Sequence, residues 1–435
     1  MPFQNNYVNL VAEKVQAHTR LIRDYDGAER NFDYIIVGSG MGGGILADDL
    51  ADRLGHSHRI LVLDVGSFIY PTHVYNSSRI PNSAVANHFG VNNFKQSPTD
   101  HHFIGGKPQL AFGGRSIFWS GLIPQPQGWE LDFFPDNVRS DLSSNYLDVA
   151  GDRMNASISL GDKAKELMEH FRNSTLNSDF DIHETPRALH QPYLNPNGTP
   201  RDQFFVEPTG VFNTAELLIN QVGLTPGVDQ NGNGLFIKLN SFVEAIHDVP
   251  FGWYEVKTTS TVTGEQVSFY APKVVIAAGS TESPKLINRS AIYQSLPDHV
   301  KALVGFGLTD HPVTGESQAY VSSLGNSPRI SLGRRDHAKI IFYSRGKRDA
   351  SGHVIYPFNI EMNVNHEYWH LRNNDPSQKP VADDTSRARV DTKFSFANCL
   401  DDENGIFSHA NDGYTPDVRF KRFSSLDDLL QSRFP

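Results

Sequence analysis

The chain has 435 residues, 38% of them hydrophobic, and its 39 basic and 49 acidic residues give a net charge of −10. This length supports a large buried core and predicts two structural units rather than one. The acidic balance argues against nucleic acid as a partner, because binding to phosphate backbones depends largely on basic side chains. The single cysteine, Cys399, excludes an intrachain disulfide and a thiolate-rich metal site, and we predict no metal.

The N-terminal segment is polar, mixed in charge and without the apolar run of a secretory signal peptide. Its apolar residues recur at helical spacing over residues 5–30, which predicts a helical extension covering residues 1–30. No stretch of the chain approaches the roughly 20 apolar residues of a membrane span. We therefore expect a cytoplasmic protein that makes no membrane contact.

Residues 32–64 have the pattern of a β-α-β unit. An apolar run over residues 32–37 predicts a strand, residues 43–54 predict a helix, and a second apolar run over residues 59–64 predicts another strand.

A GxGxxG motif, residues 38–43, occupies the turn between the first strand and the helix. Gly38 permits a tight turn, Gly40 allows the backbone to approach a pyrophosphate, and Gly43 allows the helix to pack closely on the strand. The helix N-terminus offers free N–H groups to phosphates, and Asp64 is placed to accept hydrogen bonds from ribose hydroxyls. The motif predicts a dinucleotide site without separating FAD from NAD. Its candidate residues are Gly38, Ser39, Gly40, Gly42, Gly43 and Asp64.

The remainder of the chain predicts further elements. Helices are expected over residues 138–150 and 160–173, and strands over 234–246, 253–259, 266–270 and 273–278. Residues 66–135 and 176–212 have loop-like composition. Beyond residue 315 the pattern changes to alternating strands, such as 317–322 and 354–365.

Three further segments narrow the interpretation. Residues 112–121, with the sequence FGGRSIFWSG, resemble the flavin loop of the glucose–methanol–choline (GMC) oxidoreductases, and the context of Trp119 is similar to the pyranose oxidase branch. Residues 277–286, AAGSTESPKL, resemble the second signature of that family, and residues 305–312, GFGLTDHP, resemble its Asp-His-Pro segment. Together with GxGxxG, the four motifs occur in the family's order over roughly residues 31–315.

The resemblance implies an α/β fold with two domains. A Rossmann-type FAD-binding domain would comprise residues 31–135 and 234–314. A second, α+β substrate-binding domain on an antiparallel sheet would comprise residues 136–233 and 315–435.

The resemblance also implies roles for particular residues. Gly113, Gly114 and Ser116 would line the flavin, Ala278 and Gly279 would lie beside the FAD phosphates and ribose, and the strand with Val243 would contact adenine. Asp310 and His311 would have a structural role near the diphosphate rather than a catalytic one. Arg115, in the flavin loop, would either bind a substrate anion or pair with an acidic side chain.

Two departures from the family pattern affect the chemistry. Some pyranose oxidase relatives bind FAD covalently through a histidine at the position of Phe118, and phenylalanine cannot form that bond, so we predict non-covalent FAD. No match exists to the family's closing segment, which carries the catalytic histidine. His366 and His370 are candidate substitutes in what is otherwise a polar, aromatic loop tip, and His101 with His102 is another.

These features predict a FAD-dependent oxidoreductase that acts on the CH–OH group of an alcohol or sugar. Three explanations of the unmatched closing segment stay open: a partner chain or further segment completes the site, another residue serves as the base, or the chain does not oxidise alcohols. In the last case it is a flavin-fold subunit or a family member with non-redox or light-driven chemistry.

Overall fold

The structure of the protein is a computed structural model. The residues that it describes are 30–68, 73, 109–119, 121–154, 156–157, 162–188, 211–224, 233–309, 313–325, 329–345, 350, 358–365, 385–396, 403–408 and 416–419. The predicted N-terminal extension lies outside them, apart from its last residue.

The described residues form eighteen strands and eight α-helices. The strands are β1 Tyr34–Val37, β2 Arg59–Leu63, β3 Ala156–Ser157, β4 Phe180–Glu184, β5 Arg187–Ala188, β6 Gly234–Lys238, β7 Ser241–Val249, β8 Trp253–Ser260, β9 Gln266–Ala271, β10 Val274–Ile276, β11 Val313–Val321, β12 Ser323–Leu324, β13 Ile330–Ser331, β14 Ala338–Ser344, β15 Phe358–Val364, β16 Ala388–Phe396, β17 Gly405–Ser408 and β18 Pro416–Arg419. The α-helices are α1 Met41–Leu54, α2 Asp136–Asp141, α3 Leu147–Arg153, α4 Asp162–Arg172, α5 Thr214–Leu224, α6 Gly279–Arg289, α7 Ile292–Ser295 and α8 Asp298–Lys301.

Four parallel strands form one sheet in the order β10-β1-β2-β6. Ile36 and Val62 point into a core shared with α1 and α5, whereas Ile35 and Leu61 point into a second core shared with β7, β8, β9 and α6. Because both faces are buried, β1 and β2 are continuous apolar runs rather than alternating ones. The predicted β-α-β unit is confirmed.

The predicted strand over 234–246 is wrong in one respect, because it is two strands. β6 joins the parallel sheet, and β7 begins the three-stranded antiparallel sheet β7-β8-β9. Asn240 lies between them at φ 54°, a left-handed conformation that asparagine tolerates better than most residues.

A separate five-stranded antiparallel sheet has the order β11-β16-β15-β14-β4. One face of this sheet packs on α4, so that Ile340 and Phe342 of β14 share a core with Leu167. β4 lies within the span predicted to be loop, which was wrong because this short edge strand is defined by its pairing with β14, more than 150 residues away. The predicted α/β class, with a parallel and a separate antiparallel sheet, is confirmed.

Helix α5 lies with the parallel sheet rather than with the antiparallel one. Ala215 and Leu218 are fully buried in the core beneath α1, although our predicted boundaries assign this helix to the substrate domain. Burial of its apolar face against α1 is the physical reason for this placement. Within the described ranges, no helix has the length and apolarity needed to cross a membrane.

Candidate functional site

The GxGxxG turn joins the carboxyl end of β1 to α1. Gly38 has φ +103°, and a Cβ added there would collide with the Ala277 carbonyl oxygen; at Gly43 it would collide with the Gly38 carbonyl oxygen. In contrast, a Cβ at Gly40 or Gly42 would meet no atom within 4 Å. The first pair therefore builds the turn, and the second pair borders open space at the N-terminus of α1, where the helix dipole favours an anion.

Ser39 and Asp64 hold this turn against the end of β2. The backbone N–H and the hydroxyl of Ser39 donate to Oδ2 of Asp64 at 2.8 and 2.6 Å, and the N–H of Gly66 donates to Oδ1 at 2.7 Å. Burial raises the pKa of the Asp64 carboxyl, while the hydrogen bonds from Ser39 and Gly66 oppose that rise. Oδ2 of Asp64 thus holds the GxGxxG turn and Oδ1 holds the segment after β2, a role that the sequence did not predict beside the expected contact to ribose.

The predicted flavin loop lies directly against this turn. Gly113 (φ +88°) and Gly114 (φ +52°) open a 3-10 helix, Gly114–Ile117. The N–H of Gly113 donates to the Ser39 hydroxyl at 2.9 Å, and a Cβ on Gly114 would lie 3.3 Å from the Cα of Gly40. Two glycine segments that are far apart in sequence therefore meet at one place.

Thr214, the first residue of α5, joins the two segments and was missed by the sequence analysis. Its hydroxyl donates to the Ser39 carbonyl oxygen at 2.7 Å and lies 2.9 Å from the Ser116 hydroxyl, which donates to the Gly113 carbonyl oxygen at 2.6 Å. Ser39, Ser116 and Thr214 are fully buried. The buried Ser116 hydroxyl thus stabilises the flavin loop through its hydrogen bond to Gly113.

The one sequence signal near Thr214 is a helix cap. Asn213 Oδ1 accepts a hydrogen bond from the Glu216 N–H at 2.8 Å, and Asn213 Nδ2 donates to the Glu216 carboxylate at 3.1 Å. Asn followed three residues later by Glu marks a helix start. It carries no information about the loops that the helix start contacts.

Arg115 and Phe118 complete the described part of the flavin loop. Arg115 is exposed, whereas Phe118 packs against the core beneath α1. The side chain of Phe118 contains no nucleophilic atom that could bond to a cofactor.

The second signature also lies beside the GxGxxG turn. The N–H of Ala277 donates to the Val37 carbonyl oxygen at 2.8 Å, and α6 begins at Gly279, where a Cβ would meet nothing within 4 Å. Ala278 caps this helix without a side-chain hydrogen bond. A second glycine-lined helix N-terminus therefore lies next to the first.

Val243 lies in β7, which starts beside Asp64. The N–H of Ser241 donates to the Asp64 backbone carbonyl oxygen at 2.8 Å, and the Val243 carbonyl oxygen accepts from Nη2 of Arg289 at 2.8 Å. Val243 itself is buried, and the pairing of β7 with β8 shifts register between Val243 and Ala245.

The other predicted residues lie outside the described residues. These are Asp310, His311, His366, His370, His101 and His102.

The segment that follows the flavin loop runs onto the antiparallel sheet. The N–H of Ile123 donates to the Pro186 carbonyl oxygen at 2.9 Å, and Leu122 and Arg187 form a β-bridge. The Tyr343 hydroxyl, on β14, donates to the Gln125 carbonyl oxygen at 3.1 Å. The flavin loop and one face of the antiparallel sheet are therefore continuous in space.

Two solved structures of formate oxidases share the fold of this chain. One, from Aspergillus oryzae RIB40, concerns the effect of a mutation on FAD modification; it has 12% sequence identity and a TM-score of 0.54. The other is a crystal structure analysis of formate oxidase, with 13% identity and a TM-score of 0.54. Each match covers 92% of this chain and 79% of the other.

No protein-family model matches the chain, and no curated protein matches it with significance. The similarity to the formate oxidases is one of fold.

Proposed function

We propose that this chain is a FAD-dependent oxidoreductase of the GMC type that oxidises the CH–OH group of an alcohol or sugar and holds FAD non-covalently. The observation that carries the proposal is the meeting of the GxGxxG turn, the flavin loop and the second signature around space that a Cβ at Gly40, Gly42 or Gly279 would enter. The shared fold with formate oxidases, one of them described with FAD, adds support.

The residues present fit FAD. Gly40 and Gly42, at the N-terminus of α1, would hold the diphosphate, because a Cβ at either position would meet no atom within 4 Å and the backbone borders open space there. Asp64, directly after β2, would contact the ribose, and Gly113 with Gly114 would lie along the flavin ring. Phe118 offers no covalent attachment.

Bound flavin supplies an acceptor for the hydride that leaves the alcohol carbon. The chain must supply the geometry and a base for the hydroxyl proton. His366, His370 and a residue of a partner chain are the proposed sources of that base, and Asp310 with His311 would support the diphosphate region.

The proposal is tested by recording the visible absorbance of the purified protein and then precipitating it with acid. We expect a yellow protein that releases FAD into the supernatant, because Phe118 cannot retain it. Anaerobic addition of alcohols and sugars should then bleach the bound flavin. A colourless protein that does not take up FAD contradicts the proposal, and a yellow protein that no alcohol or sugar bleaches supports a flavin-fold subunit instead.

A further inference from the structure

One face of the five-stranded antiparallel sheet carries charged side chains. Lys339 of β14 pairs with Asn363 of β15, which pairs with Asp391 of β16; one step along, Glu361 pairs with Lys393. Directly opposite residues share a face of a sheet. The other face is the apolar one that α4 covers, so these charges lie together on the face away from α4.

The carboxylates of Glu361 and Asp391 on this face already have cationic partners. Lys393 Nζ lies 3.0 Å from Glu361 Oε2, and Arg389 Nε donates to Asp391 Oδ1 at 2.8 Å. Because Lys393 and Arg389 pair with these two carboxylates, the positive charge of Lys339 is not balanced by either of them.

Lys339 is 4% exposed, and its Nζ has no hydrogen-bond partner among the described residues. The Nε of Arg187, also buried, likewise lacks one in the part of the chain that the structure describes. Arg187 follows β4 in the chain, and the Thr185 N–H donates to the Lys339 carbonyl oxygen at 3.0 Å. Lys339 Nζ and Arg187 Nε thus belong to two neighbouring cations, and neither atom has a hydrogen-bond partner among the described residues.

This arrangement is costly for the fold. Burying a charge or a hydrogen-bond donor without a partner is unfavourable. Burial and then the charge of Arg187 hold the pKa of Lys339 well below its usual value; Glu361 and Asp391 raise it, and Lys393 lowers it. Burial also lowers the pKa of the neighbouring His337, where Asp336 opposes and Arg187 adds to the effect. An added anion would reverse the effect on Lys339 and satisfy both orphaned donors.

Arg187 also contacts the segment that follows the flavin loop. It forms a β-bridge with Leu122, directly after residue 121. An anion held between Lys339 and Arg187 would therefore lie on the side of the antiparallel sheet that the flavin loop approaches.

We infer that Lys339 and Arg187 bind the carboxylate group of a small hydroxy acid, and that this anion, through its CH–OH group, is the substrate of the proposed oxidoreductase. The inference rests on the proposed function, because only bound flavin makes the ligand a substrate. The planar fork of an arginine matches a carboxylate. The nearby carboxylates of Glu361 and Asp391 favour a monoanion over a more highly charged phosphate.

The probe is sodium acetate, titrated calorimetrically into the purified protein with its flavin, in two buffers of different ionisation enthalpy. We expect acetate to bind with uptake of protons, because the complex stabilises the charged form of Lys339. Acetamide, which has nearly the same shape and no charge, should bind much more weakly. Equal binding of acetate and acetamide overturns the inference.

The variant is Lys339→Met, and the matched control is Lys257→Met, which removes the same charge from an exposed side chain on β8. We expect Lys339→Met to weaken acetate binding about thirtyfold or more and to abolish proton uptake. It should also raise the melting temperature, because an unpartnered buried amine is replaced by an apolar chain; a purely structural lysine would do the opposite. Lys257→Met should leave acetate binding, proton uptake and the melting temperature unchanged.

Unchanged acetate affinity in Lys339→Met contradicts the inference, and Lys339→Gln is measured in the same way if the Met variant does not fold. Flavin content is measured separately by its absorbance. A protein that contains FAD but does not bind acetate overturns this inference alone. A protein without FAD overturns the proposed function, whereas acetate binding to it would still identify an anion site.

Discussion

The four glycines of the fingerprint turn differ in what limits them. Gly38 and Gly43 are enclosed by backbone atoms, whereas Gly40 and Gly42 border open space. The protein itself therefore requires glycine at the first pair of positions, whereas at the second pair only a bound ligand would require it.

We expect Gly38→Ala and Gly40→Ala to act differently. Gly38→Ala should destabilise the fold by more than about 1 kcal/mol, because alanine is strained at φ +103° and its Cβ meets the Ala277 carbonyl oxygen. Gly40→Ala should leave the free energy of unfolding within about 0.5 kcal/mol and still reduce FAD content, because its Cβ enters the space assigned to the diphosphate. Denaturant unfolding and flavin absorbance measure the two effects. Full FAD retention by Gly40→Ala would contradict the assignment.

At the scale of elements, helix α1 is tied to α3 by one arginine and several carboxylates. Nη1 of Arg153 lies 3.1 Å from Oδ2 of Asp48 and 3.4 Å from Oδ2 of Asp52, and Nη2 contacts Oδ1 of Asp49. Burial, and then the charge of Asp52, raise the pKa of Asp48 to about 7 against the lowering effect of Arg153. The single positive charge of Arg153 therefore does not offset the burial of Asp48 and the repulsion from the neighbouring carboxylates.

The raised pKa of Asp48 predicts a loss of stability toward alkaline pH. Between the ordinary pKa of about 4 and the folded pKa of about 7, the folded protein binds more protons than the unfolded chain. The stabilisation that this group contributes is complete below about pH 4 and is lost as the pH rises through about 7.

Asp48→Asn should remove this part of the pH dependence. We measure the free energy of unfolding of both proteins in urea at about pH 5 and about pH 8. The difference between Asp48→Asn and the original protein should be more favourable to the variant at about pH 8. Asp136→Asn, at a carboxylate that is fully exposed, provides the control. Identical pH profiles for the original protein and Asp48→Asn would refute the explanation.

At the scale of the whole molecule, the segment after the flavin loop connects the region of the parallel sheet with the antiparallel strands. It bridges to β5 through Leu122 and to β14 through the hydrogen bond from Tyr343 to Gln125. Burial, followed by the charge of Glu130, raises the pKa of the Tyr343 phenol.

Tyr343→Phe should reduce stability by about 1 kcal/mol, because the Gln125 carbonyl oxygen loses its donor. FAD content should remain unchanged, since the glycine turns are untouched. The comparison is Tyr254→Phe on β8, for whose hydroxyl the described residues provide no hydrogen bond. Equal unfolding midpoints for the two variants would contradict a connecting role for Tyr343.

The sequence by itself determined the elements whose signals are local. The β-α-β unit, with Gly38, Gly40 and Gly43 at its turn, was predictable because strand and helix periodicity and the glycine requirement all fall within about 35 residues. The flavin loop and the second signature were recognised in the same way, as short contiguous motifs.

Only the tertiary structure decided what joins those motifs. Thr214 bridges Ser39 and Ser116, β4 becomes a strand by pairing with β14, and Lys339 with Arg187 converges on one face of a sheet. Each depends on partners far away in the chain, and side-chain hydrogen bonding or charge excess leaves no periodic pattern in a sequence. Buried polar groups are defined by what surrounds them, and only the folded chain shows those surroundings.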